Sequence, residues 1–215
     1  MKVPWSKPDF SSEEHEAAFN SIKNYIGANG PEVTNLEKEF AAKVGSKHAI
    51  AVCNGTAALM LSLMCMRDMY GNLKIGVPSF TFIASANSSY QIFGKENVKL
   101  LDCDINTWNT TIEDARDDID LLMTVDVGGL PCDYTELSKL NIPIVADSAE
   151  LYDLAKSLMN HGYSKNKHSH EYIHDNYGVN FRMSDVNAAI ARVQLRKLSK
   201  FVSHRNKIAN IYKQE

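Results

Sequence analysis

Apolar positions in the first 45 residues recur at the spacing of an α-helix and predict two helices. The first is predicted to begin at Ser11 or Ser12, whose hydroxyl groups can cap it, and to end at the glycines of 27–30. The second is predicted to begin at Thr34, because Glu37 follows at the spacing of a capping box, and to stop at Gly45. We therefore expect two helices before residue 45.

Beyond residue 45, short apolar runs of strand type alternate with helical stretches. Strands are predicted at 49–52, 75–78, 98–103, 121–127 and 142–147. Helices are predicted to begin at Thr56, Phe82 and Asp133. This alternation indicates a largely parallel sheet covered by helices, that is, an α/β fold. From residue 150 the pattern is helical again, over 150–159, 184–198 and 199–212, around a polar loop at 160–178.

Composition and charge exclude several classes of protein. The 215 residues include 23 basic and 26 acidic side chains, a net charge of −3, which is unlike a strongly basic nucleic-acid-binding domain. The apolar stretch 57–66 is too short to cross a membrane, and residues 1–10 lack the apolar core of a secretory signal, so we expect a cytoplasmic protein. The four cysteines form no CxxC pair, and we expect them to be reduced and mostly buried.

The segment 53–59 joins a predicted strand to a predicted helix and is a candidate phosphate site. The backbone N–H groups of Gly55, Thr56 and Ala57 would be unpaired at the start of the helix, and the glycine lets an anion come close. Thr56 adds a hydroxyl group. The alternative is an ordinary strand-to-helix turn with a threonine cap, and the residues alone favour neither interpretation.

Phe82 and Asp147 follow predicted strands and so belong to the carboxyl edge of the sheet, where open α/β folds bind ligands. An aromatic ring there can stack on a flat cofactor, although a phenylalanine at a strand end more often packs in the core. A carboxylate there can keep a pyridine nitrogen protonated so that the ring accepts electrons. An aspartate in this position more often caps a helix, so each residue taken singly favours a structural role.

Histidines 161, 168, 170 and 174 invite interpretation as metal ligands. They lie in a polar loop among lysines rather than on a predicted helix, and their spacing is not that of a zinc motif. We therefore predict no metal site.

Six motifs, in this order along the chain, resemble the DegT/StrS-type sugar aminotransferases, which are pyridoxal-phosphate (PLP) enzymes of the aspartate aminotransferase fold. The motifs occupy 30–59, 78–87, 102–109, 126–134, 143–150 and 174–195. They include NGTAAL, PSFTFIASAN, PIVADSAE and a GxNxRM motif. The resemblance therefore covers almost the whole chain.

The resemblance implies that several residues contact PLP. Gly55 and Thr56 would hold the cofactor phosphate. Phe82 would stack on the pyridine ring, and Asp147 would pair with the ring nitrogen. The residues beside this aspartate in the site would be Ala149 and Glu150.

The GxNxRM motif implies a second subunit. Asn180, the asparagine of this motif, would reach the cofactor phosphate of a neighbouring copy, and Arg182 would brace that loop. A homodimer would then share its active sites.

The resemblance also implies a fold and an activity. The fold would be an aspartate aminotransferase-like (PLP fold type I) large domain, with a mainly parallel sheet flanked by helices, internally shortened. We predict an N-terminal arm and helix at 1–30, the large domain at 31–160, and a dimer-interface loop with helices at 161–215 that leads to a truncated small domain. The activity would be amino transfer, usually from glutamate, to a keto group on a nucleotide-linked sugar, for surface polysaccharide or deoxyamino-sugar biosynthesis.

The sequence departs from the family at the lysine that binds PLP as a Schiff base. The family's S-F-x-x-x-K motif and the T-G-E-G-G turn after it have no counterpart here, and 147–150 passes directly into 151–162, which resembles a later family segment. A transaminase needs that amine to carry the cofactor and move a proton. The nearest lysines downstream, Lys156, Lys165 and Lys167, are not expected to be correctly placed. We therefore predict no catalytic residue in this chain.

Three hypotheses remain open at this point. The chain is an aminotransferase family protein impaired by the missing lysine, or a non-catalytic binding or assembly partner. The third hypothesis is a truncated remnant, in which a sheet that has lost strands exposes apolar edges and aggregates.

Overall fold

The structure is a computed structural model and describes residues 9–116, 118–145, 152–164, 173–174 and 176–212. The chain divides into two compact units. One comprises residues 1–53 and 182–215, and the other comprises residues 54–181. The division at 1–30, 31–160 and 161–215 stays a prediction.

The unit of residues 54–181 is built on a parallel sheet. Its strands are β1 (Ile75–Pro78), β2 (Val98–Leu101), β3 (Leu121–Met123) and β4 (Ile144–Val145), in the order β2-β1-β3-β4. Ile75 lies opposite both Val98 and Leu121, and Leu122 lies opposite Ile144, all in parallel register. The α/β class with a parallel sheet is therefore confirmed.

Helices cover both faces of this sheet. They are α3 (Gly55–Tyr70), α4 (Ile83–Phe93), α5 (Ile112–Ala115), α6 (Tyr134–Leu137) and α7 (Tyr152–Leu158), and a small antiparallel pair follows, β5 (Tyr163–Ser164) and β6 (Ile173–His174). Leu63 and Phe93 pack with Val77 in one core cluster, and Leu137 packs with Leu122 in another. Because neighbouring strand residues point to opposite faces and both faces of β1 and β3 are buried, these two strands carry no charged residue, whereas β2 carries the exposed Lys99.

The unit of residues 1–53 and 182–215 is helical. It contains α1 (Ser12–Asn24), α2 (Pro31–Val44) and α8 (Asp185–Tyr212), and α8 contacts both of the others. Lys197 Nζ lies 2.7 Å from the carboxylate of Glu14, which is only 1% exposed. This hydrogen bond holds the pKa of Glu14 well below its ordinary value. Arg192 similarly joins α8 to Glu39 of α2. Among the described residues, no helix is long and apolar enough to cross a membrane.

The predicted strand at 49–52 is wrong. Val52 forms an isolated antiparallel bridge with Arg182, and residues 49–51 belong to no strand. The apolar composition has the pattern of a strand, but a strand also requires a neighbour along its length, and the described residues provide none for 49–51.

The predicted start of α2 is also wrong, because the helix begins at Pro31 and Gly30 is its N-cap. Proline is well suited to the first helical position, where its missing N–H is not needed. The carboxylate of Asp185 accepts hydrogen bonds from the N–H groups of Glu32 and Val33 at 3.2 and 2.9 Å. The helix is therefore capped by a residue far away in sequence, which a local motif cannot reveal.

Other boundaries differ by smaller amounts. Ser11 caps α1 as predicted, but the helix ends at Asn24, before the glycines. The two predicted helices at 184–198 and 199–212 are one helix of 28 residues, because nothing at 198–199 breaks the period. The second and third strands end at Leu101 and Met123, earlier than predicted, since polar residues follow them.

The cysteines are free, and half of them are buried. Cys65 and Cys132 are buried, Cys103 is half-buried and Cys53 is exposed, so the prediction of mostly buried thiols is only partly right. Burial raises the pKa of the Cys65 thiol to about 11.

Candidate functional site

At the start of α3 the cap position is occupied, and three donors have no partner among the described residues. Asn54 is the cap, and its Oδ1 accepts a hydrogen bond from the N–H of Ala57 at 2.8 Å. This overturns both a threonine cap and an unpaired Ala57. The N–H groups of Gly55 and Thr56 and the hydroxyl of Thr56 have no hydrogen-bond partner among the described residues, and both residues are exposed. Such a helix N-terminus can bind an anion.

Phe82 is the N-cap of α4, directly after the loop that follows β1. Its side chain is 78% exposed, so the interpretation as a core residue is wrong. Its carbonyl accepts the N–H of Ser85 at 3.0 Å, which fixes the backbone at this point. The ring is therefore available for stacking on a planar ligand.

Two loops at the carboxyl edge of the sheet are tied together. Asn109, after β2, is buried, and its side-chain amide donates to the carbonyl of Leu130 at 2.9 Å and accepts from the N–H of Val127 at 3.1 Å. Trp108 packs edge-on against Phe80 with ring centroids 4.7 Å apart. Asn109 was not predicted as a site residue, because it stands in the mostly polar run 106–111, where nothing local distinguishes it from its neighbours.

These two loops, the loop after β1 and the start of α4 expose a group of large apolar side chains, which we call the edge patch. The edge patch consists of Phe80, Phe82, Ile83, Ile105, Trp108 and Leu130. Exposed apolar side chains gathered in one place are typical of an interaction surface.

A polar cluster follows β3 at the same edge. The carboxylate of Asp126 accepts hydrogen bonds from the Tyr134 hydroxyl and the N–H of Cys132, each at 2.9 Å. The Tyr134 oxygen also lies 3.2 Å from the hydroxyl of Thr124. Burial is the main cause that raises the pKa of Tyr134. These residues were not predicted as site residues, because the segment was expected to be strand as far as residue 127.

Asn180 lies on a segment that runs antiparallel to the end of α7. The N–H of Val179 donates to the carbonyl of Leu158 at 2.7 Å, and the N–H of Phe181 donates to that of Met159 at 3.1 Å. A Cβ at Gly178 would overlap the backbone of His161 and Gly162, so the glycine of the GxN motif is required by packing. Asn180 itself is exposed.

Several predicted residues lie outside the described residues. They are Asp147, Ala149 and Glu150, the lysines 165 and 167, and the histidines 168 and 170. Lys156 is half-buried on α7 and has an interaction partner. The structure therefore describes Gly55, Thr56, Phe82 and Asn180 of the predicted site. The described residues contain no cluster suited to a metal ion.

Comparison with known proteins decides the family. The sequence profile of the DegT/DnrJ/EryC1/StrS aminotransferase family matches residues 8–150 and 143–215. The chain belongs to this family. The resemblance inferred from the motifs is confirmed.

The relatives are distant in sequence and similar in fold. GDP-perosamine synthase of Escherichia coli O157:H7 is 26% identical, over 98% of this chain and 70% of its own length. The crystal structure of 3-amino-5-hydroxybenzoic acid synthase superposes with a TM-score of 0.85 at 23% identity, covering 96% of this chain and 66% of that one. Escherichia coli GDP-4-keto-6-deoxy-D-mannose-3-dehydratase, solved with bound hydrated PLP, superposes with a TM-score of 0.84 at 21% identity. The superposition covers 97% of this chain and 71% of that one.

The relatives are also longer. The chain spans 64 to 70% of the length of the curated relatives it matches. The alignment with the Escherichia coli GDP-perosamine synthase has 262 positions, so at least 47 of them (262 less 215) have no counterpart in this chain. The two matches to the family profile overlap at residues 143–150, which include β4.

Proposed function

We propose that this protein binds PLP and is a nucleotide-sugar aminotransferase family protein whose amino transfer from glutamate to a keto sugar is impaired. The start of α3 carries the proposal, because Gly55 and Thr56 offer to an anion two N–H groups and a hydroxyl that have no partner in the part of the chain that the structure describes. The family membership, and the PLP bound to a solved structure of the same fold, support PLP as the ligand.

The proposed site residues would contact different parts of PLP. Gly55 and Thr56 would bind the phosphate at the positive end of the α3 dipole. Phe82 would support one face of the ring, since its own ring is exposed at the same edge of the sheet. When bound, PLP supplies an aldehyde carbon that takes up the amino group and a ring that withdraws electrons. Asp147 would hold the proton of the ring nitrogen, with Ala149 and Glu150 beside it.

We infer the impairment from the missing lysine motif. Two observations support a shortened chain: the relative has at least 47 aligned positions without a counterpart here, and the family matches overlap at 143–150. A transaminase without a correctly placed amine lacks the base that moves the proton during amino transfer. Binding of PLP and loss of turnover are therefore compatible.

We also propose a cytoplasmic homodimer. The edge patch provides an apolar surface of the kind that a second copy can cover. Asn180 is exposed on a segment fixed to the end of α7, and in the dimer it would reach the phosphate of the neighbouring site. The same patch favours the alternative function, a non-catalytic partner that binds an intact homologue.

The phosphate site is tested by titrating the protein with PLP and with pyridoxal, which lacks the phosphate. We expect PLP to bind at least tenfold more tightly, and Thr56→Val to weaken PLP binding about tenfold without affecting pyridoxal. Thr135→Val, at an exposed position on α6, is the matched control and should behave as the wild type. Equal affinity for both compounds would overturn the proposal.

The impairment is tested by borohydride reduction after PLP addition, followed by intact mass and peptide mapping. We expect no stoichiometric adduct on a single lysine. A single adduct on Lys156, Lys165 or Lys167 would show that a substitute amine exists, and the predicted impairment would then be wrong.

A further inference from the structure

The segment Ala49–Val52 has unpaired backbone groups. Val52 forms a bridge with Arg182, and the N–H of Ala51 donates to the carboxylate of Glu37 at 2.9 Å. The N–H and carbonyl groups of Ala49 and Ile50 have no hydrogen-bond partner among the described residues. All four residues are half-buried. Unpaired backbone groups in such a place are unfavourable and can be satisfied by an added strand.

The same segment lines an apolar groove of about 450 Å³, which we call the 49–52 groove. Leu36 and Phe40 of α2 line it, together with Leu195 and Leu198 of α8. A strand that pairs with residues 49–51 presents every second side chain to one face, so those side chains can enter the groove. Main-chain hydrogen bonds combined with side-chain pockets are the elements of strand addition.

A relative carries a segment that has no counterpart in this chain. At least 47 aligned positions of the Escherichia coli GDP-perosamine synthase have no counterpart here, which is long enough for several strands. The family matches overlap at 143–150, which include β4, and the only strand neighbour of β4 among the described residues is β3. An open edge at 49–51 and an internal gap are therefore found in one chain.

We propose that the 49–52 groove binds a strand of a separate polypeptide that carries the family segment absent at 143–150. This inference rests on the proposed shortening of the chain. The protein then acts as one part of a two-chain assembly. A second copy is a poorer occupant, because its own surface at this point is the same concave groove, and two facing grooves cannot fill each other.

The test uses the full chain and, as a separately expressed and tagged polypeptide, the part of the Escherichia coli GDP-perosamine synthase that lies opposite the gap. Binding is measured by calorimetry on the purified components, and protection of backbone amides is measured by hydrogen exchange. We expect a one-to-one complex in which at least one of the amides of Ala49 and Ile50, which have no partner among the described residues, exchanges at least about tenfold more slowly. Neither measurement requires PLP, so failure of the PLP titration and failure of this proposal are separate results.

Two variants on the same helix locate the site. Leu198→Asp places a charge in the groove and should weaken binding by about tenfold or more. Ile208→Asp is the control, because Ile208 is on α8 with similar exposure, 42% against 38%, and does not line the groove. Circular dichroism checks that both variants remain helical.

Three results would overturn the proposal. The first is the absence of binding, and the second is equal weakening by both variants. The third is protection of 49–51 in the protein alone that increases with its concentration, because a second copy would then occupy the groove.

Discussion

The carboxylate of Asp185 lies 2.9 Å from the backbone nitrogen of Val33 and accepts its N–H, although the two residues are 152 positions apart in the chain. Asp185 is completely buried at the start of α8, and it also accepts the N–H of Glu32 at 3.2 Å. One side chain therefore caps α2 and fixes the start of α8 against it.

We expect Asp185→Ala to destabilise the protein by about 1–3 kcal/mol, because two donors at the start of α2 lose their acceptor. Asp185→Asn retains an acceptor oxygen and should destabilise the protein less than Asp185→Ala. Urea unfolding followed by circular dichroism at 222 nm measures both. If the alanine variant unfolds at the same urea concentration as the wild type, the cap contributes nothing.

The capped helix shows what the sequence could and could not reveal. The strands β1 to β4 and helices α3 and α4 were predictable, since alternating apolar runs and local caps depend on neighbouring residues. The start of α2 was not, because its cap comes from Asp185. The prediction of a strand at 49–52 failed for the opposite reason. The local composition is that of a strand, but the described residues provide no neighbouring strand for 49–51.

The candidate site was predictable where a motif determines it. Gly55 and Thr56 lie at a helix start as expected, but the cap is Asn54, and its side chain takes the Ala57 donor. Phe82 is exposed, whereas burial statistics for an isolated phenylalanine favour the core. The polar cluster of Asp126 and Tyr134 depends on how the chain turns after β3, which periodicity does not predict.

Stability should fall at acidic pH through Glu14. The hydrogen bond from Lys197 lowers the pKa of Glu14 in the folded state, so the carboxylate stabilises the fold above the pKa of an unfolded glutamate, about 4.3. That contribution is lost as the pH falls from there through the folded-state pKa. We expect Glu14→Gln to be less stable than the wild type at pH 7 and the difference to narrow at acidic pH, measured by urea midpoints.

Glu13→Gln is the matched control for this experiment. Glu13 is the neighbouring residue in the same first turn of α1, and its side chain is exposed. We expect the urea midpoint of this variant to follow the wild type closely at every pH. A constant difference between Glu14→Gln and the wild type from pH 7 to pH 3 would contradict the proposed role of the ion pair.

Gly178→Ala should loosen the segment that carries Asn180. The added Cβ would overlap the backbone of His161 and Gly162, so the antiparallel pairing with the end of α7 must open. We expect a loss of about 1–3 kcal/mol, as for overpacking in a core. Gly55→Ala is the control, since a Cβ there meets no atom within 4 Å. Equal melting temperatures for the two variants would show that the close approach at Gly178 is not required.

We expect the protein to form a dimer through the edge patch. Ile105 is exposed in the loop after β2, close to the packed rings of Phe80 and Trp108, and a charge there would have to be buried in a dimer formed through this patch. We expect Ile105→Asp to raise the dimer dissociation constant by about tenfold or more in sedimentation velocity, while Ile208→Asp, outside the patch, leaves it unchanged. A dimer that tolerates Ile105→Asp uses another surface. A wild-type chain that is monomeric at about 10 µM, a concentration at which a stable dimer would persist, argues against the homodimer and favours a different partner for the patch.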